Sequence, residues 1–309
     1  MNDSALSPAL AQVLTLVAPG DRGLTDADCE AAAAALSQAG ASRVGAPRWL
    51  CEGLAVDLPF EGLERAAAHA AVDEAAALVR LDRAAQAAAG RRKRMLIADM
   101  DSTMIEIETL DTIASLLGFG EEVAEITRRS MNGEIGFEES LVERVALLAD
   151  HPADETLAQV MARVTYTQGG ETLVRTMAAN GARCLLVSGG FTFTTEVVHR
   201  ALGFHAHKAN VLEVVDGRFT GRVKGSIVGR ATKRETLEAL AQEMKADLRE
   251  AATVGDGAND LDMLQAAGLG VGYRAKPIVR AQAPHRIDHT DLSTLLYYQG
   301  YRFEEFVTA

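Results

Sequence analysis

The chain has 309 residues, 48% of them hydrophobic, with 43 acidic against 31 basic side chains and a formal net charge of −12. That length and apolar content suit a two-domain globular protein, and the acidic balance argues against a broad nucleic-acid footprint. No apolar run approaches the ~18 residues of a membrane span and the amino terminus lacks the basic start of a signal peptide, so a cytoplasmic setting away from membranes is expected.

Residues 12–17 read as a strand leading into Pro19-Gly-Asp-Arg-Gly23, and Thr25 is placed as the N-cap of an alanine-rich helix ending near Gly40. Two β-like pieces follow, 42–51 and 54–59, separated by a tight turn at Glu52-Gly53, and residues 63–77 return to helix. This β-α-β-β-α order resembles ACT-type small regulatory domains over residues 1–85. The resemblance implies a fourth strand at 77–83, and by analogy a homodimer formed through this domain. Alanine-rich residues 83–90 read as a helical linker, and Arg91-Arg-Lys-Arg94 as its solvated basic end; residues 86–94 then separate the first domain from a second at 95–309. Cys29, Cys51 and Cys184 have no metal-ligand spacing and are expected as reduced, buried thiols.

Residues 95–98 are continuously apolar and follow a charged stretch, the signature of a buried strand in a parallel sheet. The run ends in Asp99-Met-Asp101-Ser-Thr. Two carboxylates at the carboxyl end of a parallel strand lie where ligands bind in open α/β sheets, and their repulsion calls for a cation or a shared proton. An isolated Asp-x-Asp could equally open a turn and cap a helix; the remainder of the chain decides between these roles. Residues 105–165 carry helical periodicity in several pieces (109–117, 121–131, 137–148), with Phe137, Leu141, Val145 and Leu148 recurring on one face. Some fifty residues exceed what a crossover connection needs, so a helical cap over the strand ends is expected.

A doubly wound β-α rhythm resumes at residue 170. It comprises a helix over 171–180 with Gly181 as its C-cap, a strand over 183–187 ending in Ser188-Gly-Gly190, and a hairpin of 210–215 with 219–225 turning at Asp216-Gly217. Then come Lys233 at the start of a helix running to about residue 245, a strand over 251–254 ending in Gly255-Asp-Gly-Ala-Asn-Asp260, and a short strand over 269–271.

Asp99-Met-Asp101-Ser-Thr, Ser188-Gly-Gly190, Lys233 and the Asp256–Asp260 loop, in that order, resemble the four motifs of the haloacid dehalogenase (HAD) superfamily of aspartate-nucleophile phosphatases. The resemblance implies a Rossmann-like, doubly wound parallel sheet of α/β class with an inserted helical cap. Phosphate-ester hydrolysis needs an in-line nucleophile, a proton for the leaving oxygen and positive charge at the phosphoryl oxygens. Asp99 is the expected nucleophile and Asp101 the proton shuttle. Ser188, the Gly189 amide, Lys233 and Asn259 are expected around the phosphate. Mg²⁺ is the expected cofactor, on Asp99, Asp256 and, as the resemblance implies, the Asp101 main-chain carbonyl, with Asp260 orienting the site.

Within that superfamily, the stretch from Asp99 through Glu108, together with Met131-Asn-Gly, Phe137-Glu-Glu-Ser-Leu-Val-Glu-Arg144 and Asp291-Leu-Ser-Thr-Leu-Leu-Tyr-Tyr-Gln-Gly300, resembles the phosphoserine phosphatase family. That likeness implies O-phosphoserine as the small-molecule substrate and L-serine as product, the last step of serine synthesis. An amino-acid ester needs an anion for its ammonium and a cation for its carboxylate. Glu108, in preference to Glu106, and Arg144 are those groups, with Met131 and Phe137 as pocket walls. Homoserine or histidinol phosphate would keep the four motifs and change the cap contacts. A phospho-accepting signalling receiver or an amino-acid sensor also uses part of this set, and the cap-sized insertion and intact aspartates stand against both.

Overall fold

A computed structural model of the chain describes the backbone at residues 12–131 and 134–308. The first unit contains β1 (Gln12–Val17), α1 (Asp26–Gln38), β2 (Arg43–Val44), β3 (Arg48–Cys51), β4 (Ala55–Glu61), α2 (Arg65–Glu74) and β5 (Asp82–Ala87). Its sheet is antiparallel, in the order β2-β4-β1-β5, with β3 paired to β4. Thr25 caps α1 through a reciprocal box with Asp28, which satisfies two otherwise orphaned donors. Leu14, Leu16, Val56, Leu58 and Phe60 from the strands bury against Cys29, Ala32 and Leu36 of α1 and Ala68 and Val72 of α2. Period-two alternation over one face of the sheet is the reason these strands form.

Two expectations are corrected here. The fourth strand lies at Asp82–Ala87, not at 77–83, and residues 83–87 are strand instead of helical linker. Alanine favours helix locally, but this segment supplies the pairing partner for β1 (Val17↔Asp82 through Gln12↔Ala87), and tertiary pairing overrides propensity. Within the basic cluster Arg92 and Arg94 are exposed as expected, whereas Arg91 is half-buried and Lys93 buried. Arg91 forks onto Asp57, Arg92 pairs with Glu305 at 2.7 Å and lies over the Tyr301 ring, Arg94 pairs with Glu250 at 3.0 Å, and Lys93 Nζ donates to the Gly90 and Arg249 carbonyls. It clasps the two units because carboxylates and carbonyls from both sides converge on it. Of the three free cysteines, Cys29 and Cys184 are buried and Cys51 is half-buried.

The second unit runs β6 (Met95–Ala98), then α3 (Thr109–Leu117), α4 (Gly120–Met131), α5 (Phe137–Ala146) and α6 (Ala153–Met161). It continues with α7 (Gly170–Ala179), β7 (Arg183–Phe191), α8 (Thr192–Leu202), β8 (Ala206–Val215), β9 (Arg218–Lys224) and α9 (Arg230–Glu243). The chain closes with β10 (Ala251–Gly255), α10 (Leu261–Ala266), β11 (Leu269–Tyr273), α11 (Pro277–Gln282), β12 (His285–Ile287) and α12 (Thr294–Tyr298). Among the described residues the sheet order is β12-β11-β10-β6-β7-β8-β9, parallel from β12 to β8. β6 is therefore central and buried on both faces, which is why it reads as an unbroken apolar run.

The long β8 does two jobs. Its first half extends the parallel sheet beside β7, and its second half pairs antiparallel with β9 around Asp216-Gly217, both at positive φ as a type I′ turn requires. The hairpin is the floor of the cap: Leu110 and Ile113 of α3, Leu141 and Val145 of α5, Leu148 just after it and Val160 of α6 share one apolar cluster with Phe219 of β9 and Phe191 at the end of β7.

The two units are tied at β5. Asp82, almost fully buried, accepts hydrogen bonds from the backbone N–H groups of Asp288, His289 and Thr290 and from the Thr290 hydroxyl. Asp82→Ala strands these donors and is expected to lower unfolding stability by about 2–4 kcal/mol in denaturant titration; a loss under about 0.5 kcal/mol would show that water replaces the carboxylate without penalty. Nearby, burial pushes the His285 imidazole down to about 3 from its ordinary 6.5, with His69 as a second cause. Because the unfolded chain takes up this proton and the native chain does not, His285 adds stability above pH 6.5 that is lost as pH falls toward 3. In His285→Phe, the stability lost between pH 7 and pH 4 should shrink by up to about 3 kcal/mol. An unchanged acid limb would rule that source out.

Candidate active site

Three parallel strand ends and one helix meet at one point. Asp99 follows β6, Ser188-Gly189-Gly190 closes β7, and Asp256 follows β10, while Lys233 projects from the first turns of α9. Lys233 is fully buried, with Nζ 2.5 Å from Asp99 Oδ1 and 2.6 Å from Asp260 Oδ1. Burial works against its proton, but the Asp260 and Asp99 charges outweigh that and hold the ammonium more firmly than in a free lysine. Asp260 is also fully buried, and its Oδ2 accepts the Gly257 N–H at 3.0 Å. Burial, with the Asp260 charge behind it, raises the proton affinity of Asp99 against the pull of Lys233.

Asp101 lies on the turn that follows, where Ser102 takes a left-handed conformation (φ 55°). The Thr109 hydroxyl, at the start of α3, donates to Asp101 Oδ1. Burial, then the Glu108 and Asp99 charges, push the Asp101 carboxyl well above the ordinary carboxylate range. A carboxyl that holds its proton more firmly in this way is suited to serve as a proton donor. Its Oδ2 faces Gly190: a methyl group there would come within 2.4 Å of that oxygen, so only glycine lets the β7 loop approach the acid so closely. Ser188 Oγ is buried and accepts the Gly190 N–H at 2.9 Å, which fixes the loop.

Asp256 accepts from the Thr103 hydroxyl at 3.4 Å and from Lys276 Nζ at 3.2 Å. Oxygens of Asp99, Asp256 and Asp260 lie within 4.8 Å of one another, an arrangement able to hold a cation. Asp260 has committed both oxygens to Lys233 and Gly257, which leaves Asp99 and Asp256 as the carboxylates with capacity for a hard ion.

The cap closes over these groups. Phe137, at the start of α5, reaches Gly189 so closely that a methyl group on that glycine would lie 2.8 Å from its ring, and the same ring flanks Gly229 before α9. Glu108 Oε1 accepts from the Ser102 hydroxyl at 3.0 Å and from Lys276 Nζ at 3.1 Å, whereas Glu106 is exposed. The Arg144 side chain is largely buried, held by Nε donating to the Ser140 carbonyl at 3.2 Å and by Asp111 at 3.7 Å, within electrostatic reach of Glu108 and Asp101. Asn259 is half-buried, with its amide near Gly189 and Gly257. Met131 ends α4, and its side chain lies outside the described residues, as do Asn132 and Gly133. Three contributors had no place in the sequence reading: Thr109, Thr103 and Lys276. Lys276 could have been found by the strand-end rule, since β11 too runs into a polar loop, Arg274-Ala-Lys276, before Pro277 opens α11.

A family profile for haloacid dehalogenase-like hydrolases matches residues 96–265. A phosphoserine phosphatase of Streptomyces coelicolor is 43% identical over 257 residues, spanning 82% of this chain; the match spans 62% of that relative, so this chain covers somewhat under two thirds of its length. An unliganded crystal structure of a probable phosphoserine phosphatase from Vibrio cholerae superimposes with a TM-score of 0.75 at 31% identity, over 96% of this chain and 88% of that one. A substrate-bound phosphoserine phosphatase complex superimposes with a TM-score of 0.63 at 37% identity, over 67% of this chain and 98% of that one.

Lys233→Met leaves two buried carboxylates facing each other and is expected to cost about 3–5 kcal/mol of stability. Adding Asp260→Asn to it should recover part of the loss in denaturant titration. If the double variant is no more stable than Lys233→Met, charge repulsion is not the cause.

Proposed function

The chain belongs to the haloacid dehalogenase-like hydrolases, and from that premise we propose that it hydrolyses O-phospho-L-serine to L-serine and phosphate through an aspartyl-phosphate on Asp99. The observation that carries this reading is the meeting of Asp99 and Asp101 after β6, Ser188 of β7, Asp256 after β10 and Lys233 of α9, with Arg144 of the cap within electrostatic reach of Glu108 and Asp101.

In the first step an Asp99 carboxylate oxygen forms a bond to phosphorus as the bond from phosphorus to the seryl oxygen breaks, and Asp101 delivers its proton to that leaving oxygen. In the second step Asp101 takes a proton from water, whose oxygen attacks the phosphoryl group and frees Asp99. Lys233, clamped on Asp99 Oδ1, keeps the nucleophile from turning away and offsets charge on the phosphoryl oxygens. Ser188 and the Gly189 amide donate to those oxygens, and Asn259 reaches them from the β10 loop. Asp99 and Asp256 suit Mg²⁺, a hard ion that takes one or two carboxylates and keeps waters, with the Asp101 main-chain carbonyl as the further ligand. When bound, Mg²⁺ supplies positive charge beside the transferring phosphoryl group. Asp260 orients Lys233.

Glu108 receives the substrate ammonium and Arg144 its carboxylate, with Phe137 walling the pocket. This assignment would place the enzyme at the step that releases serine in its synthesis. We read the first unit as an ACT-like regulatory module. Its β-α-β-β-β-α-β order supports that, as does the polar cavity of about 470 Å³ between it and the phosphatase body, lined by His69, Asp73, Arg83, His285, Arg286 and Asp288 among others.

The test is phosphate release from phosphoserine, phosphothreonine, homoserine phosphate and an aryl phosphate. Phosphoserine should show the highest kcat/KM, activity should vanish with a chelator, and Asp99→Asn should lose at least about a thousandfold. Glu108→Gln should cost about 10–100-fold in kcat/KM on phosphoserine and little on the aryl ester, because only the former carries an ammonium. Equal rates on every ester would remove Glu108 and Arg144 from the assignment.

A further inference from the structure

Away from the phosphatase site, α8 and β8 bring together two histidines and a glutamate. Glu196 and His199 are one turn apart on α8, and His207 stands on the adjoining first half of β8, opposite Leu186 of β7. His207 Nε2 is 2.8 Å from Glu196 Oε2, and the two imidazole rings lie 4.4 Å apart. One ring nitrogen from each histidine and one Glu196 oxygen fall within 4.8 Å of one another.

The hydrogen bonds on the far side of each ring say which nitrogens are available. His199 Nδ1 is 3.2 Å from the Thr195 carbonyl oxygen, which can only accept, so Nδ1 carries the proton and the Nε2 lone pair is free. His207 Nδ1 is 2.8 Å from the hydroxyl of the buried Thr195, whose own proton points to the Thr192 carbonyl at 3.4 Å. That hydroxyl can therefore accept from His207 Nδ1–H, the tautomer in which the Nε2 lone pair of His207 is turned to Glu196 Oε2, 2.8 Å away. In the other tautomer Nε2–H donates to Glu196 Oε2, and a metal would displace that proton. One residue, Thr195, thus sets both rings for ligation through Nε2, the role that oxygen acceptors behind metal-bound histidines play. Arg200 binds the other oxygen of Glu196 and leaves Oε2 to the cluster.

We propose that Glu196, His199 and His207 form a second metal site that takes a divalent ion of the zinc class, with the remaining position open to water. Two imidazoles and one carboxylate are a donor set suited to zinc and unlike the all-oxygen set around Asp99. A metal lies in the plane of each ligating ring, so the stacked rings turn on binding; both are partly exposed, and the turn meets solvent instead of core. The ion staples α8 to β8, the helix and strand that follow the Ser188–Gly190 loop. Farther along that strand, Asn210 Nδ2 donates to the Gly189 carbonyl at 2.7 Å.

The test uses the full chain stripped with chelator, titrated with Zn²⁺ by calorimetry in saturating Mg²⁺, and with Co²⁺ followed by visible absorption. One equivalent of zinc should bind, raise Tm, and persist in Asp99→Asn and Asp256→Asn. It should be lost in His199→Ala/His207→Ala, and Thr195→Val should weaken it about 10–100-fold. Should the double histidine variant fail to reach the parent's metal-free Tm, Glu196→Gln replaces it. Zinc binding that survives in the histidine and glutamine variants overturns the proposal, as does binding that disappears with the aspartates, or a parent that binds none and holds only a proton between His207 and Glu196.

Discussion

The buried ion cluster of Lys233 with Asp99 and Asp260 is the constraint on which the rest of the structure depends. An ammonium and two carboxylates with almost no solvent contact are costly to desolvate, and such a cluster survives only when its geometry is over-determined. Here the determination comes from three directions. β6 fixes Asp99, whose N–H donates to Val254 of the neighbouring strand. The β10 loop folds back so that Gly257 N–H holds Asp260, and α9 buries Leu237, Leu240 and Ala241 against the sheet, which aims Lys233 inward. The carboxylates of Asp99, Asp256 and Asp260, gathered within 4.8 Å of one another, are what make the place hospitable to a cation.

From that cluster the packing runs outward to the cap. The helices α3, α5 and α6 have no sheet of their own to cover, and they bury their apolar faces on each other and on the β8–β9 hairpin. The hairpin is continuous with β8, and β8 carries Asn210, whose side chain bonds both the Gly189 carbonyl and the Val228 N–H. One buried amide therefore joins the β7 loop, the hairpin strand and the approach to α9. Phe137 meets the same loop from above, so the cap and the strand ends are held in register by contacts to two glycines, 189 and 229.

The first unit is attached by an apolar seam, in which Val17, Leu50, Ala55 and Ala84 share one buried cluster with Leu295, Tyr297 and Tyr298, and by polar groups set around it. Asp82 satisfies backbone donors after β12, Gln86 reaches the Tyr298 carbonyl, and Arg91 forks onto Asp57 beside Gly300. Buried directional bonds of this kind fix an orientation, because each loses its value with a small rotation.

The sequence by itself determined the strands that carry the chemistry, the presence of a cap and the identity of its polar residues. β1, β6 and α3 lie where their patterns predict, and the hairpin turn falls at Asp216-Gly217, because apolar periodicity, glycine φ and caps are local properties. Only the tertiary structure decided the rest. It turned an alanine-rich 83–87 into a strand because one edge of β1 lacked a partner, and it drew Arg91 and Lys93 of the basic run inward as part of a clasp. It brought Lys276 onto Glu108 and Asp256, and it used Thr109 to hold Asp101. These depend on partners from eight to 213 residues away, and contacts at such separations leave no mark in a local pattern of hydrophobicity or propensity.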